Sequence, residues 1–177
     1  QGQFNPSVGA LARDSVGRIL IGGHFSAVNG VPRLGLARLT DAGDVDPAFN
    51  ASIVLAPLPN SDLTAEALQI APQPDGRILI VGWFDHVGNV PRPGIARLMT
   101  DGSLDRSFAP VSLKDALAPA YGVGLMAVAV QEDGRILAGG WRQIPGGFDS
   151  TSMVGFVVRM NSDGSLDPLF DVNTYTS

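Results

Sequence analysis

The chain carries the same pattern three times, and that repetition limits its fold more than any other feature. The first copy runs from Val8 to Phe49, the second from Ala65 to Phe108 and the third from Leu125 to Phe170. Gly17, Gly76 and Gly134 each precede the arginine of a GRIL segment, at steps of 59 and 58 residues. Arg38, Arg97 and Arg159 follow at steps of 59 and 62, and Phe49, Phe108 and Phe170 close the copies at the same steps. A unit of this length is one supersecondary element. It cannot bury both of its faces alone and is stable only when stacked on its neighbours.

Within each copy the periodicity is that of strands. An apolar stretch such as Ala65–Ala71 leads into PDG or EDG, and RILIVG (Arg77–Gly82) follows. Two such runs joined by Asp-Gly are a strong hairpin signal, because that pair tolerates the positive φ of a tight turn. A Pro/Gly-rich loop follows (Asn29–Arg33, Gly88–Arg92), then a third strand (Gly94–Met99, Gly155–Met160), then a second Asp-Gly turn and a short fourth segment ending at the phenylalanine. Gly (22 residues) and Pro (13) supply the turns. The reading is an all-β fold, a β-propeller built from four-stranded antiparallel blades. Residues 1–6 read as the tail of a preceding repeat, because Phe4-Asn5 matches Phe49-Asn50. Residues 7–50, 65–109 and 124–171 are the blades, 51–64 and 110–123 connecting loops, and 172–177 a tail. The best helix candidate, Ser112–Ala118, is bounded by Pro110 and Pro119 and has room for one or two turns.

The pattern DGRIL-x-x-G, NGVPR-x-G-x-ARL, DGSLD-x-x-F resembles the delta-60 repeat, a bacterial β-propeller repeat, over Phe4 to Phe170. The resemblance implies a large secreted or cell-surface protein and supplies no catalytic residues. Repeat 1 departs from it at Ser15–Val16, where the aspartate before the turn glycine is lost. Repeat 3 departs at Ile144–Met153, where PGGFDSTSM replaces the proline loop.

Charge and composition exclude several classes. The net charge is −5, with scattered arginines and a single lysine, Lys114, so nothing resembles a basic stripe for nucleic acid or a polybasic membrane anchor. No apolar run approaches the roughly 20 residues of a membrane helix. The absence of cysteine removes disulfides, thiolate metal sites and cysteine nucleophiles. A start at Gln1 without methionine or signal peptide reads as a processed or excised segment.

Three groups of side chains recur. The turn carboxylates Asp41, Asp44, Asp46, Asp101, Asp105, Asp163 and Asp167 could offer oxygens to calcium, though an Asp-Gly turn also uses its carboxylate on its own backbone. Arg38, Arg97 and Arg159 sit among apolar residues. With the closing phenylalanines Phe49, Phe108 and Phe170 they are candidates for locking a repeat, each arginine paired with a carboxylate such as Asp105 or Asp167. His24, Trp83 and Trp141 share one place in the repeat, where planar side chains could stack on a sugar or pack between blades. His24 and His86 have no zinc spacing, and no serine nucleophile elbow is present.

These observations lead to an expectation of a non-enzymatic extracellular structural or interaction module. It works without a cofactor, with calcium as the one candidate. Three copies fall short of the four to eight blades of a closed propeller, so a homo-oligomer or neighbouring repeats would complete it. A glycan- or ligand-binding module is the alternative. A lyase or hydrolase with a site on the propeller axis is a third.

Overall fold

The computed structural model describes residues 6–54, 65–113, 122–143, 153–170 and 173–175. Its named elements there are strands, β1 to β15, paired antiparallel. The chain divides into two compact units, Gln1–Asp105 and Arg106–Ser177.

Repeat 1 forms the sheet β1-β2-β5 from Ser7–Arg13, Ile19–His24 and Leu36–Leu39. Its proline loop is a small hairpin, β3 (Ala27–Val28) with β4 (Val31–Pro32). Repeat 2 builds the same sheet from β7 (Glu66–Pro72), β8 (Ile78–Trp83) and β11 (Ile95–Leu98), in the order β11-β8-β7. Its proline-loop hairpin joins β9 (His86–Val87) to β10 (Val90–Pro91). Repeat 3, in the second unit, has the longer strands β12 (Gly122–Val130), β13 (Ile136–Gln143) and β14 (Met153–Met160), followed by β15 (Asn173–Tyr175).

The recurring sequence makes recurring local structure. Each GRIL turn closes with the glycine amide donating three residues back, Gly17 to Asp14, Gly76 to Gln73 and Gly134 to Gln131. Each glycine holds a positive φ, which an L side chain resists. The first strand of each repeat bulges at one place, between Val8 and Ala10, Ala67 and Gln69, and Leu125 and Ala127. The bulge drives the backbone into the neighbouring strand, where Gly23, Gly82 and Gly140 have no room for a Cβ.

Within the first unit, β1 and β2 lie against β7. The fit depends on glycine. A Cβ on Gly22 would meet the Ala67 carbonyl at 2.6 Å and Ile70 Cδ1 at 3.2 Å. The Ala67 amide donates to the Gly35 carbonyl at 3.3 Å, so backbone joins the two sheets directly. Around this contact Leu20, Leu36, Phe49, Ala67, Ile70, Ile78, Ile80, Ala96 and Leu98 form one buried cluster. Each fully buried Leu or Ile there contributes roughly 1.5–3 kcal/mol.

The segments between repeats depart from the sequence reading. Asn50–Val54, expected mostly as loop, crosses onto repeat 2. The Asn50 amide donates to the Asp101 carbonyl at 2.9 Å. Ser52 and Val54 carbonyls accept from the Gly88 and Asp85 amides at 2.7 and 2.9 Å. Ile53–Val54 is β6, and it pairs with β9. The tail of repeat 2 starts the same way on repeat 3, with Ala109 donating to the Asp163 carbonyl at 2.8 Å.

The expected fourth strand within each repeat also needs correction. The segments ending at Phe49, Phe108 and Phe170 are turns, joined to the third strand by one bridge each: Leu39–Val45, Leu98–Leu104 and Met160–Leu166. The reason is local. Asp46 and Asp167 accept from the amides two residues on, Ala48 at 2.8 Å and Leu169 at 2.9 Å, and this folds the chain into a turn. Among the described residues the main sheets of repeats 1 and 2 thus have three strands. Repeat 3 gains a fourth strand from β15, beyond its phenylalanine. Phe4-Asn5, the loop Ile144–Ser152 and the helix candidate after Leu113 lie outside the described residues.

Candidate functional site

The residues that recur most strictly come together as one charged cluster per repeat. In repeat 1 the Arg38 Nε donates to Asp46 Oδ2 at 2.8 Å, and Arg18 approaches the same oxygen at 3.6 Å. In repeat 2 Arg97 meets Asp105 at 2.7 Å and Arg77 meets it at 3.4 Å. In repeat 3 Arg159 and Arg135 meet Asp167 at 2.8 and 3.1 Å. The third strand supplies one arginine, the start of the second strand the other, and the LDxxF turn the carboxylate. Each lock therefore ties three parts of its repeat to one side chain. Arg38, Asp46, Arg97 and Asp105 are buried, where an ion pair is useful only with close hydrogen bonds.

The closing phenylalanine joins the arginine in repeats 1 and 3. The Arg38 guanidinium stands 4.8 Å from the centre of the Phe49 ring, and Arg159 the same distance from Phe170. Both lie within cation–π range. Phe49 and Phe108 are fully buried and Phe170 is half-buried. Arg38 reaches further, donating through Nη1 to the Thr100 carbonyl, so the lock of repeat 1 also grips the turn of repeat 2.

The carboxylates are tuned by these contacts. Burial pushes Asp46 up, but the Ala48 amide and the arginines Arg38 and Arg18 together outweigh it and hold it below its ordinary 3.8. The Leu169 amide, with Arg159 and Arg135, overcomes burial and lowers Asp167. Ser103, through its hydroxyl and amide, lowers Asp101.

Repeat 1 solves its missing turn aspartate. In repeat 3, Asp133 accepts from the Arg135 amide at 3.0 Å and from its Nε at 2.8 Å. In repeat 1 the same place holds Val16, and Asp14, two residues earlier, accepts from the Arg18 amide at 2.9 Å and Nε at 2.7 Å. Burial raises Asp14, yet the Arg18 and Val16 contacts leave it lowered overall. Neither Asp14 nor the GRIL arginines Arg18, Arg77 and Arg135 was singled out from sequence, although three arginines at one repeat position were a legible signal.

The other candidates lie on turns and strands of their own repeats. Asp101 and Asp163 bond the amide and hydroxyl two residues on, Ser103 and Ser165, at 2.6 to 2.9 Å. Asp41 and Asp44 lie exposed on the corresponding turn of repeat 1. Among the described residues no three His, Cys, Asp or Glu side chains are grouped to hold a metal ion. His24 and Trp83 end the second strands of their sheets and Trp141 lies two residues before the end of β13, opposite Ser7, Glu66 and Gly124 respectively. Trp141 lies over Gly124, leaving no space for a Cβ there, whereas Trp83 is 40% exposed. No helix among the described residues is long and apolar enough to cross a membrane.

Comparison with curated proteins finds no match. Comparison with protein families matches residues 17–49, 73–108 and 131–170, more than half of the chain, to a domain of unknown function described as the DUF5122 beta-propeller. The three matched segments coincide with the three locks, each beginning near the GRIL turn and ending at or beside the closing phenylalanine. The chain therefore belongs to the DUF5122 beta-propeller family.

Proposed function

We propose that this chain is a non-enzymatic structural or protein-interaction module of delta-60-type repeats, secreted or held at a cell surface, which completes its packing against further repeats. These come from a second copy or from the same protein. One observation carries the reading. Ala67 and Ile70, on the face of repeat 2 that meets repeat 1, are 0% and 7% exposed. Their counterparts in repeat 1, Val8 and Leu11, are 53% and 72% exposed. An apolar face that is covered in one repeat and bare in the next is suited to another repeat. The recurring charges support the same role, since the arginines and the LDxxF aspartates are engaged with each other rather than presented to a substrate. The module works without a cofactor and engages neither nucleic acid nor the membrane interior. Sedimentation of the chain against its Leu11→Asp variant tests it.

A glycan-binding role is the second reading, favoured by the exposure of Trp83, whose ring could stack on a sugar. A glycan array comparing the chain with Trp83→Ala separates the two. Binding lost in the variant supports a glycan site, and no binding by either chain rejects it.

A further inference from the structure

Repeat 2 is gripped along one edge by the tail of repeat 1, and repeat 1 has the matching edge without such a tail among the described residues. The grip on repeat 2 has two parts. At the turn, Asn50 donates to the Asp101 carbonyl, and Gly102 is so close to Asn50 and Ala51 that a Cβ would lie 2.8 Å from the Ala51 amide. At the hairpin, β6 pairs with β9. Repeat 3 shows the turn half of the same grip. Its Gly164 lies against Ala109 and Pro110, with Pro110 N 2.8 Å from where a Cβ would stand.

In repeat 1 the corresponding turn glycine is Gly43, and nothing stands within 4 Å of its Cβ position. The corresponding hairpin, β3-β4, is a sheet of two strands where β10-β9-β6 has three. Gly102 and Gly164 are buried, whereas Gly43 is half-exposed. One side chain bridges this path, which no other described residue crosses. Asn29, on the hairpin, donates from Nδ2 to the Gly43 carbonyl at 3.2 Å. In repeat 2 its counterpart is Gly88, whose amide instead binds the tail at Ser52.

The geometry points to a peptide-binding site on repeat 1, made of β3 and the Gly43 turn and latched by Asn29, that takes the tail following the closing phenylalanine of another repeat. This rests on the reading of the chain as a stacking module and adds the segment that makes the contact. The ligand chemistry follows from the occupied sites. It is a segment with a phenylalanine, a proline or small residue two positions on and an aliphatic residue four or five on, as in Phe49-Ala51-Ile53, which ends in the strand β6, and Phe108-Pro110-Leu113. Those six side chains are buried or, for Pro110, half-buried. Backbone pairing provides affinity and the side chains provide selectivity, as when a strand is added to a sheet edge.

The test uses a labelled peptide of sequence Phe49–Val54 titrated into the full chain, read by fluorescence anisotropy and by amide hydrogen exchange. We expect saturable binding, with the Ser26 and Asn29 amides gaining protection because their counterparts Asp85 and Gly88 bind the tail in repeat 2. Asn29→Gly keeps a residue suited to the positive φ there and removes the latch. It should tighten binding by roughly two- to tenfold, the worth of one hydrogen bond. Gly43→Val should abolish binding. Failure of the peptide to bind Asn29→Gly, or protection arising elsewhere, overturns the site. If the chain still self-associates in that case, the stacking reading survives without it.

Discussion

Asp14 makes to Arg18 the same pair of hydrogen bonds that Asp133 makes to Arg135, from a position two residues earlier in its turn. Repeats 2 and 3 carry Gln73 and Gln131 where repeat 1 has Asp14, and Asp75 and Asp133 where it has Val16. The two positions exchange one carboxylate. Asp14 is buried, so Asp14→Gln is expected to lower stability by about 1.5–3 kcal/mol, the range for a hydrogen bond to a charged group. Adding Val16→Asp should recover most of the loss. Urea unfolding of the two variants checks this, and a double variant no more stable than the single one contradicts it.

Gly43 and Gly102 both have φ +86°, so replacing either with alanine carries the same backbone cost of about 1 kcal/mol. They differ in what surrounds them. A Cβ at Gly102 meets the tail backbone, and one at Gly43 meets open space. Gly102→Ala should therefore be the more damaging by about 2 kcal/mol, in line with other overpacked sites. Equal losses in thermal or urea melts would mean that Asn50 and Ala51 are not held on the turn of repeat 2.

Arg38→Met leaves Asp46 buried without its closest partner and removes the contact to Thr100 in repeat 2. Breaking one side of a buried pair typically costs about 3–5 kcal/mol, and the urea midpoint should fall accordingly. A variant as stable as the parent would show that the lock contributes nothing.

Asp14, Asp46, Asp101, Asp133 and Asp167 are all held below 3.8 in the folded chain. A carboxylate with a depressed folded pKa stabilises the fold above its ordinary pKa. That contribution is lost as pH falls through the depressed value. Stability should thus be flat from neutral pH to about 5 and drop steeply below about 4. Melts across that range read it, and a stability that does not change down to about pH 2.5 contradicts it.

The second and third strands of each repeat were legible in the sequence, because apolar residues recur in register, and Arg97 and Arg159 meet the aspartates Asp105 and Asp167 of the same repeats. What the sequence hid depends on contacts between repeats. Ile53–Val54 is a short apolar pair that becomes a strand only when β9 is beside it. The LDxxF segment looks like a strand, yet Asp46 and Asp167 turn it by bonding amides two residues on. Asp14 was overlooked because the pattern marks the position two residues later. Gly22 is legible as glycine, but its reason, the Ala67 carbonyl of the next repeat, appears only in three dimensions.

The bare face bearing Val8 and Leu11 is, on the proposed function, the one that another repeat covers. Analytical ultracentrifugation over a range of concentrations tests it most directly. The chain should associate by mass action, and Leu11→Asp should abolish that association without unfolding it. A monomer at every concentration, for the parent chain and the variant alike, would contradict it.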